Sequence, residues 1–179
     1  MRHTGILTER KWLHVEQFIA PACAAAMVGE LLRGCRRRVT VGAGDECWTE
    51  YSVAAESRLG RILAGPAAMR LVAAALGPGD AYGAHLWGQT YEVGERIALH
   101  TDADGDVQLL LCLEQPPAAC GGYLILRPNT AEVRLRLDPG DAVMFRATDI
   151  PHATTPSQRR KVRRLPAARS RLRFFKCDA

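Results

Sequence analysis

The strongest chemical signal in this chain comes from two histidines and an aspartate, arranged as His100-Thr101-Asp102 and then, about fifty residues on, His152. In an extended strand, residues two apart share a face, so His100 and Asp102 can aim at one point. His152, at the start of a later β-rich run, can close the triangle from the opposite side. Two neutral imidazoles and one carboxylate on one face of a metal leave its other face open, as Fe(II) needs if a co-substrate and dioxygen are both to reach it. An isolated H-x-D pair is equally a hydrogen-bonded strand end, so the elements around it decide between the two.

The chain has 179 residues, 47% hydrophobic and 24% charged, which predicts one globular domain over 1–179 and excludes disorder and a collagen-like architecture. Phe18 to Leu32 has helix-forming composition with Pro21 near its start. A second helical stretch, Glu56 to Leu76, is interrupted near Gly65-Pro66 and stopped by Gly77-Pro78-Gly79. Residues 1–80 are therefore expected to be mainly helical support. Beyond residue 80 come short β-rich runs, at Gly83 to Tyr91, Arg96 to His100, Val107 to Leu113, Tyr123 to Arg127, Ala131 to Leu137, Ala142 to Phe145, His152 to Thr155 and Arg171 to Lys176. Turn formers such as Pro128-Asn129 and Asp138-Pro139-Gly140-Asp141 separate them. Eight short strands at this spacing predict a jelly-roll core over 81–179 in an α+β domain, a double-stranded β-helix of cupin-like type.

The longest apolar stretches are broken by Gly, Pro, Glu or Arg and fall short of the roughly 20 residues of a membrane span. Met1 to Lys11 is polar, so neither a membrane segment nor a secretory leader is expected and a cytoplasmic location is. The six cysteines are widely spaced with no C-x-x-C pair, which predicts reduced, mostly buried thiols rather than a zinc site. The net charge of +5 is concentrated: Arg159 to Lys176 holds nine cations and no acid, leaving the remainder at −4. That segment reads as a solvated loop, a polyanion contact or a cluster around an anionic ligand.

The order Tyr91-Glu92-Val93-Gly94, His100-Thr101-Asp102, Leu109 to Leu113, Gly121-Gly122-Tyr123-Leu124, Pro139-Gly140-Asp141-Ala142-Val143-Met144-Phe145 and Pro151-His152-Ala153 to Pro156 resembles the Fe(II)- and 2-oxoglutarate-dependent dioxygenases of the prolyl-4-hydroxylase-like branch. The likeness covers roughly 82–177. It implies Fe(II) held by His100, Asp102 and His152, with 2-oxoglutarate and O2 as co-substrates. It also implies hydroxylation of an unactivated C–H bond with release of succinate and CO2. Asp102 argues against halogenation, for which the family replaces the carboxylate by a small residue. Tyr91 stands where the family places a tyrosine that helps hold 2-oxoglutarate. The distal carboxylate calls for a cation, best a bidentate arginine. Counting from His152 points to Lys161 or Val162, whereas the texture of Arg169-Ser170-Arg171-Leu172-Arg173-Phe174-Phe175 points to Arg169, then Arg171, then Arg173.

For the substrate, Trp48, Glu50, Tyr51, His85, Trp87, Asp104 and Asp106 are the candidate contacts; the two acids after the H-x-D pair would suit an amine or form a polar turn. With little chain outside the core, a small amino-acid-like or natural-product substrate fits best. The alternatives are a prolyl or peptidyl hydroxylase and an AlkB-like nucleic-acid demethylase, the latter supported by the basic segment and opposed by the G-G-x-L element. Nucleic acid and membrane are not expected partners. Stimulation by ascorbate and a homodimeric state are compatible with the resemblance.

Overall fold

The computed structural model describes residues 12–42, 46–76, 80–103, 107–157 and 163–173. In chain order the elements are β1 (Trp12–Val15), α1 (Pro21–Leu31), β2 (Arg36–Val41), β3 (Glu46–Ser52), α2 (Arg58–Leu63), α3 (Pro66–Leu76), β4 (Asp80–Tyr91), β5 (Ile97–His100) and β6 (Val107–Leu111). They continue with β7 (Leu124–Leu126), β8 (Val133–Leu135), β9 (Ala142–Phe145), β10 (His152–Thr154) and β11 (Arg163–Arg173). A seven-stranded sheet, ordered β1-β9-β6-β11-β4-β3-β2, faces a four-stranded sheet, ordered β5-β10-β7-β8. Neighbouring strands in both sheets pair antiparallel. This is the double-stranded β-helix expected, with helices added to form an α+β fold. None of the described helices is long and apolar enough to cross a membrane.

The middle of the larger sheet is covered on both faces, and this explains its sequence texture. β6 is buried at every position, so Leu109-Leu110-Leu111 reads as a continuous apolar run rather than an alternating one. Leu109 and Leu111 join Met27, Leu31, Leu59, Leu63, Leu86 and Met144 in a cluster under the helices. Leu110 faces the other way, with Trp87, Tyr91, Leu124, Val143, Phe145 and Leu165, into the space between the sheets. Helix α1 can lie close to the sheet because residue 88 is glycine: a Cβ there would sit 2.1 Å from Leu31 Cδ1. Helix α2 begins at a Ser57 cap whose hydroxyl accepts the Gly60 N–H, so the second helical stretch becomes two helices separated at Gly65-Pro66, where Pro66 opens α3.

Two expectations need correction. The described part of residues 1–80 is not helical support alone: beside α1, α2 and α3 it holds β1, β2 and β3, which extend the larger sheet. β2 escapes a pattern reading because its six residues are exposed or half-buried throughout, so no apolar alternation marks it. The final strand begins at Arg163 rather than Arg171, and Arg163–Arg173 is no solvated loop: it runs between β4 and β6 near the middle of the larger sheet. Burial lowers the Arg164 guanidinium below its usual range, and that side chain pairs with Glu114. Lys161 and Val162 lie outside the described residues.

The Gly121-Gly122 pair makes a close approach of the kind its residue type permits. Gly121 has φ +80, and a Cβ on it would meet the Pro156 carbonyl oxygen at 2.6 Å, where the chain bridges to Ser157 just after β10. Gly121→Ala is therefore expected to lower the unfolding free energy by about 1–3 kcal/mol, read as a lower urea midpoint with an unchanged slope.

Candidate metal centre and its cavity

The last residue of β5 and the first of β10 are directly paired, His100 with His152, so the two imidazoles start side by side on neighbouring strands. Asp102 follows β5 by two residues and is tied in place by its backbone N–H, which donates to the Ala147 carbonyl at 2.9 Å. The histidine side chains are oriented the same way. Nδ1 of His100 lies 2.8 Å from the Ala98 carbonyl oxygen, and Nδ1 of His152 lies 3.0 Å from that of Ile150. A carbonyl only accepts, so each Nδ1 carries a proton, and in the neutral ring it is then Nε2 that offers the lone pair. Those Nε2 atoms stand 3.7 and 3.9 Å from Asp102 Oδ1, beyond hydrogen-bond length. All three donor atoms lie within 4.8 Å of one another. Phe145 packs edge-on against the His152 ring, with centroids 4.9 Å apart.

This donor set fits a divalent metal. Two lone-pair nitrogens and a carboxylate oxygen converge, and the protons that would compete with a cation are held on the far nitrogens by backbone carbonyls, the usual second tier behind ligating histidines. Burial is graded, with His152 6% exposed and His100 and Asp102 half-buried, so the group is open on one side. That side is a cavity of 470 Å³.

Strand parity decides which candidate residues reach this cavity. On β4, His85, Trp87, Gln89 and Tyr91 alternate onto it; on β3, Glu46, Trp48 and Glu50 do the same. Tyr51 is off by one: it packs against the cluster under the helices, on the opposite face of the sheet, and the structure does not bring it to the cavity. Asp104 and Asp106 lie outside the described residues. Trp48 donates its indole N–H to Glu50 at 3.0 Å, and Arg37 pairs with the same carboxylate. His85 and Trp87 pack ring on ring with centroids 5.3 Å apart.

For the carboxylate anchor, backbone register is informative. Phe145, Gln108, Arg169 and His85 form one cross-strand row, since Gln108 pairs with Phe145 and Arg169 pairs with both Gln108 and His85. Phe145 touches His152, so this row passes beside the triad. Arg171 falls beyond a register shift, opposite Tyr82, past the end of the β6 pairing. Tyr91, 2% exposed, lines the cavity and donates its hydroxyl to Gln89 Oε1 at 2.7 Å. Its partner on β11 is Arg163, six positions from Arg169, or about 20 Å along a strand. Tyr91 and Arg169 thus do not share a row, which strand texture alone had no means of showing.

The structure also adds residues that were not singled out from sequence, Arg37, Glu46, Gln89 and Gln108, which line the cavity, and it sets Arg163, from sequence only one of the clustered cations, opposite Tyr91. Gln108 is 5% exposed and its Oε1 is buried without a hydrogen-bond partner among the described residues, a polar group in an apolar run whose parity with Leu110 was the available signal.

No family model and no curated protein matches this chain. Solved structures do. A prolyl-4-hydroxylase from Pseudomonas putida is 19% identical with a TM-score of 0.76, over 94% of this chain and 96% of that one. A 2OG-Fe(II) oxygenase family oxidoreductase from Burkholderia pseudomallei is 13% identical with a TM-score of 0.77, over 92% and 87%. HygX from Streptomyces hygroscopicus, solved with nickel and 2-oxoglutarate bound, is 13% identical with a TM-score of 0.77, over 95% and 86%. At these identities the likeness establishes the shared fold.

Proposed function

We propose that this protein is an Fe(II)- and 2-oxoglutarate-dependent oxygenase that hydroxylates an unactivated C–H bond of a small amino-acid-like or natural-product substrate. The observation that carries the reading is the convergence of His100 Nε2, His152 Nε2 and Asp102 Oδ1 at a cavity, with both Nδ1 protons held by backbone carbonyls. Its fold neighbours include a prolyl-4-hydroxylase and an enzyme solved with a divalent metal and 2-oxoglutarate.

In this reading His100, Asp102 and His152 hold the iron. With iron and 2-oxoglutarate bound, O2 is consumed as the 2-oxoglutarate is converted to succinate and CO2, and one oxygen atom is delivered to the substrate carbon. The chain's own residues bind and exclude. Ile97, Leu110, Leu124 and Leu165 line the cavity with apolar surface, which keeps water from the reacting centre and strengthens charge pairing there. Arg169, in the row beside the triad, takes the distal carboxylate of 2-oxoglutarate, with Arg171 as the second choice, and Tyr91 contributes a hydroxyl to the same cavity. Trp48, His85 and Trp87 supply flat walls for a substrate, and Glu50 is already engaged in holding Trp48 and Arg37.

Two neighbours, the P. putida enzyme and a Trichoplax adhaerens prolyl hydroxylase solved with a peptide fragment, support a prolyl or peptidyl substrate as the second reading. HygX, also solved with hygromycin B bound, supports the small-molecule one. Arg163–Arg173 forms a strand of the larger sheet, so this part of the basic segment gives a nucleic-acid reading less support than a free basic loop would.

The direct test is an anaerobic absorbance titration of apoprotein with Fe(II) and 2-oxoglutarate. A visible charge-transfer band is expected in the wild type and none in His100→Ala. A folded wild type with no band ends the assignment.

A further inference from the structure

The wall of the cavity built by the β2–β3 hairpin does more than offer Trp48 and Glu50. It is fastened to the segment that carries His100 at three places. Arg38 pairs with Glu95, a carboxylate only 4% exposed that also accepts the Glu92 N–H at 2.8 Å, and this pairing holds the Arg38 guanidinium above its usual range. Cys47 forms an isolated antiparallel bridge with Arg96. Glu46, the first residue of β3, accepts the Ala98 N–H on Oε2 at 2.7 Å.

The third fastening is the informative one, because Ala98 also acts through its other polar group, the carbonyl, which accepts the proton on His100 Nδ1 at 2.8 Å. One residue of β5 thus receives the hairpin on its N–H side and orients an imidazole on its C=O side. With both polar groups held, Ala98 has little freedom to rotate, and the direction of its carbonyl fixes which way His100 Nε2 faces. Glu46 itself lines the cavity together with His100. We propose that Glu46 is a positioning residue for His100, and that through the Glu46–Ala98–His100 chain the hairpin wall and the metal site are coupled. The proposal rests on the metal-centre reading above and adds to it a residue outside the three donors.

A coupling of this kind is reciprocal: if closing the hairpin favours metal binding, metal binding must steady the hairpin by the same factor. Outer partners of metal-bound histidines are worth about 10–100-fold in metal affinity, and a partner one residue removed falls at the lower end. The experiment uses Co(II) as the probe, added to the full-length apoprotein without oxygen or 2-oxoglutarate. It reads affinity and spectrum from the visible d–d band, and it follows amide hydrogen exchange over 46–52 with and without Co(II). Glu46→Ala is expected to weaken Co(II) binding about tenfold, while Glu46→Gln, whose amide oxygen can still accept from Ala98 N–H, stays within about twofold of wild type. Co(II) is expected to slow exchange in the hairpin of the wild type and not in Glu46→Ala. Should Glu46→Ala melt too low to titrate, Glu46→Met, which keeps the stem and removes both oxygens, takes its place.

The proposal is overturned if the oxygen-less variant binds Co(II) as the wild type does with an unchanged band, if Glu46→Gln loses as much as Glu46→Ala, or if metal leaves wild-type hairpin exchange unaltered. Failure of the wild type itself to bind Co(II) would instead overturn the metal centre, so the two readings fail in different places.

Discussion

Asp102→Ala is expected to abolish detectable Fe(II) binding by the apoprotein, and with it all substrate oxidation, while the fold survives. The carboxylate is the one anionic group of the three that converge on the cavity; two neutral imidazoles alone neither balance a divalent charge nor complete the set. Losing a direct ligand should exceed the roughly 100-fold that marks the upper range for an outer partner. The fold should persist because a backbone bond ties residue 102 to its surroundings, Asp102 N–H to the Ala147 carbonyl at 2.9 Å, and alanine can still make it. Isothermal titration with Fe(II) under nitrogen, beside a melting curve of the apoprotein, reads both halves. Wild-type affinity in a folded Asp102→Ala protein would place the metal elsewhere.

The second large effect concerns 2-oxoglutarate. Arg169→Ala is expected to weaken its binding by roughly 10–150-fold, the equivalent of a charge-assisted hydrogen bond of about 1.5–3 kcal/mol, with Fe(II) affinity little changed. Position along the final strand is the reason. Arg169 shares its row with Gln108 and Phe145, and Phe145 packs on His152. Arg163 stands about 20 Å from Arg169 along the strand, opposite Tyr91, so one five-carbon dicarboxylate cannot be anchored by both. Arg171→Ala, beyond the register shift, should change little. The check is the co-substrate concentration at half-maximal charge-transfer absorbance for Arg163→Ala, Arg169→Ala and Arg171→Ala. A loss carried by Arg163→Ala would move the anchor to the row of Tyr91 and reassign both residues together.

Much of this was legible in the chain because it is local. Residues two apart on a strand share a face whatever the rest of the protein does, so His100 and Asp102 could be joined in advance. Turn formers at Pro139-Gly140-Asp141 and Gly121-Gly122 punctuate strands wherever they occur. The boundaries of β9, Ala142–Phe145, come directly from that pattern. The same locality explains the failures. β2 is an edge strand exposed or half-buried throughout, and a strand with no buried face leaves no alternation to read. Arg163–Arg173 looked like solvated charge because its place between β4 and β6 depends on partners more than fifty residues away, and pairing at that distance has no signature within the segment itself.

What the amino-acid order carried by itself, then, was the candidate donor set His100, Asp102 and His152: residue types fix coordination preference, and spacing fixes which side chains can act together. What only the tertiary structure decided was reach. Parity within the paired sheet put Trp48 and Glu50 on the cavity and Tyr51 under the helices. Register separated Tyr91 from Arg169. The meeting of two distant segments at Ala98 linked a hairpin in the first third of the chain to His100. The reason is physical: chemical identity belongs to a residue alone, whereas the face a strand presents and the row a side chain occupies are properties of its pairing, which exists only once the whole sheet has closed.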